Sequence, residues 1–376
     1  MPEHLPPVYF DHAAAAPVLP EVWQTAQALA PHAFANPEAA HGMASQLRKS
    51  IRQAGETVAA VLFARPPRER SCHFAGSASE LAARLSLLRW HGAAAGSLLD
   101  HPALQAMRRR AFRDDRSLAL DRAGMPILPD VPDPSVTLVT LPYVQSETGL
   151  CLDPERTVAA FRRAFPEALI LLDMVQAAGK YPPLAVLPDL ALVSGHKFGA
   201  PGGAALLLLS ERARKLDEPL HALRHQDYLA GREEPLAVGL FARALTLAAE
   251  RREKTSARVA AIADVLRARL EKIRIKDAPA VRFLFPTERV SPYILHFLLP
   301  GYDTGVIVRM LSERNIMVAA GSACRSESGE PSALLRALGL SRELAYSGLR
   351  LSFGPDNTMA EAERFLAVFP EVLRDY

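Results

Sequence analysis

Two periodicities of apolar residues run along this chain. Short runs at 136–141, 168–173, 190–194 and 204–209, mostly Leu, Ile, Val and Ala, have the length and composition of strands buried on both faces. Around them, apolar residues recur at three- and four-residue spacing, which predicts helices over 20–30, 44–62, 79–89, 154–164 and 237–252. Strands alternating with helices predict an α/β protein with a mainly parallel sheet. The highly charged stretch 250–258 predicts an exposed continuation of the preceding helix. It also marks the expected boundary between a large domain (13–252) and a smaller α+β domain (1–12 with 253–376). Beyond it the pattern predicts a helix over 259–273, a strand near 293–298, a helix over 304–314, a strand over 316–320 and a closing helix over 360–374.

The length of 376 residues suits two domains. A balance of 49% hydrophobic and 23% charged residues excludes a disordered or fibrous chain, and a net charge of +3 gives no electrostatic case for nucleic acid. The longest apolar run, 202–209, is too short to span a membrane, and the first residues lack the basic and apolar regions of a secretory signal. Three scattered cysteines form neither a disulfide framework nor a metal-ligand spacing, so a reducing cytoplasm is the expected setting and no metal is expected.

The cations are lopsided, with 37 Arg against 7 Lys. Lys49, Lys215, Lys254, Lys272 and Lys276 lie in charged, helix-like stretches and read as solvated surface, and Lys180 is expected to be exposed too. Lys197 differs. It follows a buried-strand pattern inside Ser194-Gly195-His196-Lys197-Phe198-Gly199-Ala200-Pro201. Loops at the carboxyl ends of parallel strands hold ligands in α/β proteins, and a desolvated lysine there suits covalent chemistry with an aldehyde cofactor. An ordinary loop lysine is the plainer alternative. Asp173 ends another apolar strand and needs a partner, which a pyridoxal phosphate ring nitrogen or a nearby turn would supply. Gln176 stands where it could donate to the ring's phenolic oxygen. Gly76-Ser77-Ala78-Ser79-Glu80, ahead of a helix, reads as a phosphate cup or as a simple helix cap.

With these residues placed, the chain resembles the cysteine desulfurases, class V aminotransferase-like enzymes of the fold-type I pyridoxal-phosphate superfamily. The likeness runs from Val8 to Leu366. Phe10-Asp11-His12-Ala13-Ala14-Ala15-Ala16-Pro17 is similar to the family's L-D-N-x-A-T-T-P, and Asn36-Pro37 to N-P-S-S-x-H. Gly76 to Glu80, His101-Pro102-Ala103 and Val144-Gln145-Ser146-Glu147-Thr148-Gly149 follow in family order, and Ser194-Gly195-His196-Lys197 is unchanged. The most specific block is Gly321-Ser322-Ala323-Cys324, followed by Glu330-Pro331-Ser332 and Leu349-Arg350-Leu351-Ser352.

The resemblance implies a large mainly parallel-sheet domain with a smaller α+β domain, pyridoxal 5'-phosphate as cofactor and L-cysteine as substrate. It implies that Lys197 binds the cofactor and moves the substrate's Cα proton, and that His101 stacks on the ring. Asp173 would meet the ring nitrogen, Gln176 and Ser146 the phenolic oxygen, and Ala78, Ser79, Ser194, His196 and Arg232 the phosphate. Asn36 and Arg350 would hold the substrate carboxylate. Cys324 would take the sulfur as a persulfide, in a segment whose small polar residues suit a mobile loop. Cys72 and Cys151 read as small buried residues. A homodimer and a sulfur-accepting partner, as in iron–sulfur cluster biogenesis, are also implied, though the family's extended docking tail is expected to be absent. Ser146 for Asn, Ala15 and Ala16 for paired Thr, and Arg232 for Thr depart from the family pattern. Rival readings are a selenocysteine or cysteine-sulfinate lyase, or a divergent paralogue acting as a binding subunit.

Overall fold

The computed structural model describes residues 6–67, 70–225, 232–275, 277–321 and 330–376. Seven strands form the main sheet: β1 (Ser71–Ala75), β2 (Ala93–Gly96), β3 (Asp115–Ser117), β4 (Val136–Pro142), β5 (Leu169–Asp173), β6 (Leu190–Ser194) and β7 (Ala205–Leu209), in the order β1-β7-β6-β5-β4-β2-β3. Strands β2 to β6 pair in parallel, and β7 runs against both β6 and β1. Every residue of β5, β6 and β7 is buried, as expected of strands covered on both faces. One apolar core, with Val139, Ile170, Leu206 and Phe241, lies on one side, and another, with Leu81, Leu138, Leu171 and Leu207, on the other.

The carboxyl ends of β1, β2, β4, β5 and β6 share one edge, and helices begin there. Helix α1 (Ala78–Leu87) is capped by Ser77, whose hydroxyl accepts from the Glu80 N–H at 3.1 Å. Helix α2 (Pro102–Ala111) is capped by His101, whose Nδ1 accepts from the Ala103 N–H at 3.2 Å. No helix among the described residues is long and apolar enough to cross a membrane.

A separate core gathers Val8 and Phe10 with Val259, Ile262, Leu266, Phe297, Leu351, Phe365 and Phe369. Its sheet places Gly348–Ser352 between Ile294–Leu298 and Ala319–Ala320. The N-terminal pair Val8–Tyr9 runs parallel to Ile316–Met317, which ties the start of the chain to this core.

Two expectations need correction. The charged stretch 250–258 does not continue the preceding helix: Pro235–Glu250 ends, Arg251 turns, and Arg252–Leu270 begins anew. The first of these helices packs on the main sheet through Phe241 and Leu245, the second on the other core through Ile262 and Leu266, so one straight helix could not serve both. Residues 316–320 form two short pieces, Ile316–Met317 and Ala319–Ala320, which pair with different strands.

Candidate active site

At the carboxyl edge of the main sheet lies a cavity of about 400 Å³. Its wall includes Ala78 and Ser79 in the first turn of α1, His101, Ser146, Asp173 and Gln176, then Ser194, His196 and Lys197. The opposite wall comes from the other core's sheet and its neighbours, with Gly321, Ser332 and Arg350. Of the residues singled out from the sequence, Asn36 and Arg232 are not in this wall. Asn36 is exposed and accepts from the Glu38 N–H at 3.0 Å, while Arg232 is exposed and pairs with Glu234 at 3.2 Å. Cys324 and Lys276 lie outside the described residues.

The half-buried Lys197 amine donates to the Ala14 carbonyl at 2.5 Å. Asp173 is 9% exposed, and its Oδ1 accepts the Val175 N–H at 2.9 Å. No basic side chain is bonded to it among the described residues, and burial pushes its carboxyl up to about 6. His101 is held below its usual range by burial and by the charge of Lys197. Because its Nδ1 accepts from Ala103, the neutral ring carries its proton on Nε2. His196 is pushed down to about 4 by burial and by Lys197, and its Nδ1 meets the Ser194 hydroxyl at 2.9 Å. Arg350 is 6% exposed and donates to the Ser146 carbonyl and to Asp11, each at 2.8 Å. Its Nε is buried and has no partner among the described residues.

This donor set fits pyridoxal phosphate. A buried carboxylate with no cation bonded to it among the described residues, sensing only the charge of Lys197, matches a ring nitrogen that carries a proton. The N-terminus of α1, with Ser79 beside it, offers free N–H groups to an anion. Gln176 is committed on one side, its Nε2 donating to the Ala13 carbonyl at 2.9 Å.

Lys180 was expected to be exposed; it is half-buried, with its ammonium 5.5 Å from the Tyr293 ring centroid and 3.5 Å from Gln176 Oε1. The i to i+4 spacing from Gln176 was the one signal in the sequence. Glu147 was missed as well: one carboxylate oxygen accepts from the Ser332 hydroxyl at 2.9 Å, at the cavity wall. Cys72 and Cys151 are each half-buried, and burial pushes Cys72 up to about 12, so neither reads as a thiolate nucleophile.

A lysine, a buried carboxylate and a histidine at the carboxyl edge of this sheet define a fold-type I enzyme. The chain belongs to the class-V aminotransferase family, whose profile matches residues 8–365. Within that family it is similar to a cysteine desulfurase of Trichormus azollae, 28% identical over 97% of this chain and 92% of the relative. Another cysteine desulfurase, from Klebsiella pneumoniae, is 27% identical over 97% and 92%. A NifS-like protein from Rickettsia africae shares the fold with a TM-score of 0.80, covering 98% of this chain and 99% of that one at 21% identity. A structure of SspA in complex with cysteine matches with a TM-score of 0.70 and 26% identity over 93% of this chain and all of that one.

Proposed function

We propose that this protein is a pyridoxal-phosphate-dependent cysteine desulfurase, which converts L-cysteine to L-alanine and lodges the sulfur on Cys324 as a persulfide. The observation that carries this reading is the convergence of Lys197, His101 and the buried Asp173 on one cavity, walled also by Gly321, three residues before Cys324. The similarity to cysteine desulfurases along nearly the whole chain supports the substrate.

In this reading Asp173 keeps the ring nitrogen protonated, and His101 lies against the ring. Gln176 faces the phenolic oxygen, with Ser146 acting there directly or through water. Ala78, Ser79, Ser194 and His196 hold the phosphate. When bound, pyridoxal phosphate supplies the electron sink that makes the amino acid's Cα proton acidic. Lys197 takes that proton as a neutral amine. Arg350 would hold the substrate carboxylate with guanidinium hydrogens that Asp11 and Ser146 leave open. Asn36, exposed outside the cavity wall, is the second group proposed for that carboxylate.

The Cys324 thiolate attacks the substrate sulfur. A sulfur–sulfur bond would form as the carbon–sulfur bond breaks, its electron pair going to Cβ, which takes a proton to become the methyl group, and Lys197 would return the proton to Cα to complete alanine. Carbon is reduced as sulfur is oxidised, so no outside redox agent is needed.

The reading further includes a large domain (13–252) meeting a smaller one (1–12 and 253–376) at the cavity, and a cytoplasmic homodimer. In that dimer Arg232, outside its own chain's cavity, reaches the partner's cofactor phosphate. The persulfide passes to an acceptor, with iron–sulfur cluster assembly as one destination.

The test is turnover with alanine measured, on L-cysteine, L-selenocysteine and cysteine sulfinate. The desulfurase reading expects alanine from L-cysteine, with the rate at least 10³-fold lower, as an order of magnitude, in Lys197→Ala. Turnover of cysteine sulfinate or selenocysteine alone would replace it with a lyase.

A further inference from the structure

Arg350, the proposed holder of the substrate carboxylate, already has a carboxylate of its own. Its Nη2 donates to Asp11 Oδ1 and its Nη1 to the Ser146 carbonyl, each at 2.8 Å. Asp11 is the one acidic side chain bonded to this guanidinium among the described residues. Both partners are well covered, with 7% of the Arg350 side chain and 22% of the Asp11 side chain exposed. Arg350 lies in the cavity wall and Asp11 does not.

The backbone leaves Asp11 little freedom to move away. The Ser352 N–H donates to the Phe10 carbonyl at 2.8 Å, and the His12 N–H donates to the Ser352 carbonyl at 3.4 Å. Asp11 is thus fastened on both sides to the residue two along from Arg350, and residues two apart on a strand share a face. The Ala14 N–H closes the following turn on the Asp11 carbonyl at 3.0 Å. In that turn the Ala13 carbonyl accepts from Gln176 and the Ala14 carbonyl from Lys197. One short segment therefore touches three residues of the site.

Asp11 and Ser146 both orient the guanidinium, but a carbonyl is neutral and only Asp11 brings a charge. A buried guanidinium without a counter-ion is costly, so Asp11 stabilises the site before any ligand arrives. When a ligand carboxylate takes the hydrogens left open, two carboxylates share one guanidinium and repel each other across it. L-Cysteine and L-alanine carry the same α-carboxylate. An uncompensated guanidinium would retain both, whereas a compensated one releases the product more readily.

We propose that Asp11 is a positioning residue acting through Arg350: its charge weakens the hold on an α-carboxylate and so sets the affinity of the site for amino acids. This rests on the proposed function, which gives Arg350 that carboxylate as its ligand.

The test titrates the holoenzyme with L-alanine and with L-alaninamide, the same amine without the negative charge, and follows the cofactor's visible band. No sulfur transfer is involved. Asp11→Asn keeps an oxygen for Nη2 and removes the charge. It is expected to bind L-alanine about tenfold more tightly than wild type, with L-alaninamide unchanged. Asp11→Ser, neutral and smaller, moves the same way, while Asp11→Glu keeps the charge and stays near wild type. A purely structural tie between the N-terminal segment and the strand predicts the reverse, because a loosened guanidinium holds L-alanine less well. Unchanged or weaker L-alanine binding in Asp11→Asn and Asp11→Ser overturns the inference, as does an equal gain for both ligands. Arg350→Ala separates this from the larger reading. If it keeps the wild-type preference for L-alanine over L-alaninamide, Arg350 does not hold the carboxylate, and that part of the proposed function falls together with the inference. If Arg350→Ala loses the preference while Asp11→Asn leaves it in place, only the inference falls.

Discussion

Asp173 sits at the end of β5 with one backbone N–H for its carboxylate, and burial raises it from the ordinary 3.8 to about 6. A folded-state value above the unfolded one means that this group's stabilising contribution is complete below about pH 4 and is lost as pH rises through about 6. At roughly 1.4 kcal/mol for each unit, the loss is about 3 kcal/mol in the cofactor-free protein. Asp173→Asn carries no such titration. Denaturant midpoints of the cofactor-free proteins should therefore show the variant gaining about 3 kcal/mol on wild type between pH 4 and pH 7. Parallel stability curves would remove the strained carboxylate from the account. Lys197 and Asp173 were legible in the sequence because each sits in a local pattern of strand, turn and small residues that one segment displays, whereas His101 entered only through the family resemblance. Lys180 was not legible, since its burial depends on Tyr293 and Arg350, which the chain supplies from distant strands.

The helix α2 that presents His101 rests on a buried ion network. Asp100 is 2% exposed, and its Oδ2 accepts from Arg108 at 2.6 Å, from the Thr140 hydroxyl at 2.8 Å and from the Ser97 N–H at 3.1 Å. Arg108 also reaches Asp115 at 2.8 Å, so β2, β3, β4 and α2 are joined through one guanidinium. Gly96 has no side chain at the point of closest approach, where a Cβ would meet the guanidinium at 2.3 Å. Arg108→Met should cost about 3–5 kcal/mol, because it strands the Asp100 charge in the interior. Adding Asp100→Asn should recover part of that loss in the same denaturant measurement; an additive double variant would contradict the pairing. Elements were read well where burial made them uniform, as in β6, predicted at 190–194 and found as Leu190–Ser194. Strand β2 was missed because Ala-Ala-Ala-Gly has neither β-branched nor aromatic residues, and its burial in the sheet centre decides its form. The break at Arg251 was missed because charge pattern alone does not reveal that two cores claim the flanking helices.

Over the whole molecule, the cavity lies where the main sheet's carboxyl edge meets the sheet that carries Arg350. The N-terminal Val8 and Phe10 pack in the second core although they precede the first, so the chain begins and ends in one unit. That residues from both halves wall the cavity, Lys197 from one and Gly321 from the other, was legible from the order of motifs. The exclusion of Asn36 from the cavity wall was not, since it depends on how the segment before Gly42–Leu62 lies over the surface. The central claim is that sulfur leaves L-cysteine and comes to rest on Cys324. Its most direct measurement is the intact mass of the holoenzyme after a single turnover with L-cysteine and no acceptor, with alanine quantified in the same sample. The account predicts one added sulfur atom per chain, mapped to Cys324 by peptide analysis and matched by one alanine, with neither formed in Cys324→Ser while the cofactor's visible band remains. Stoichiometric alanine with no sulfur on Cys324, or undiminished alanine from Cys324→Ser, would contradict it.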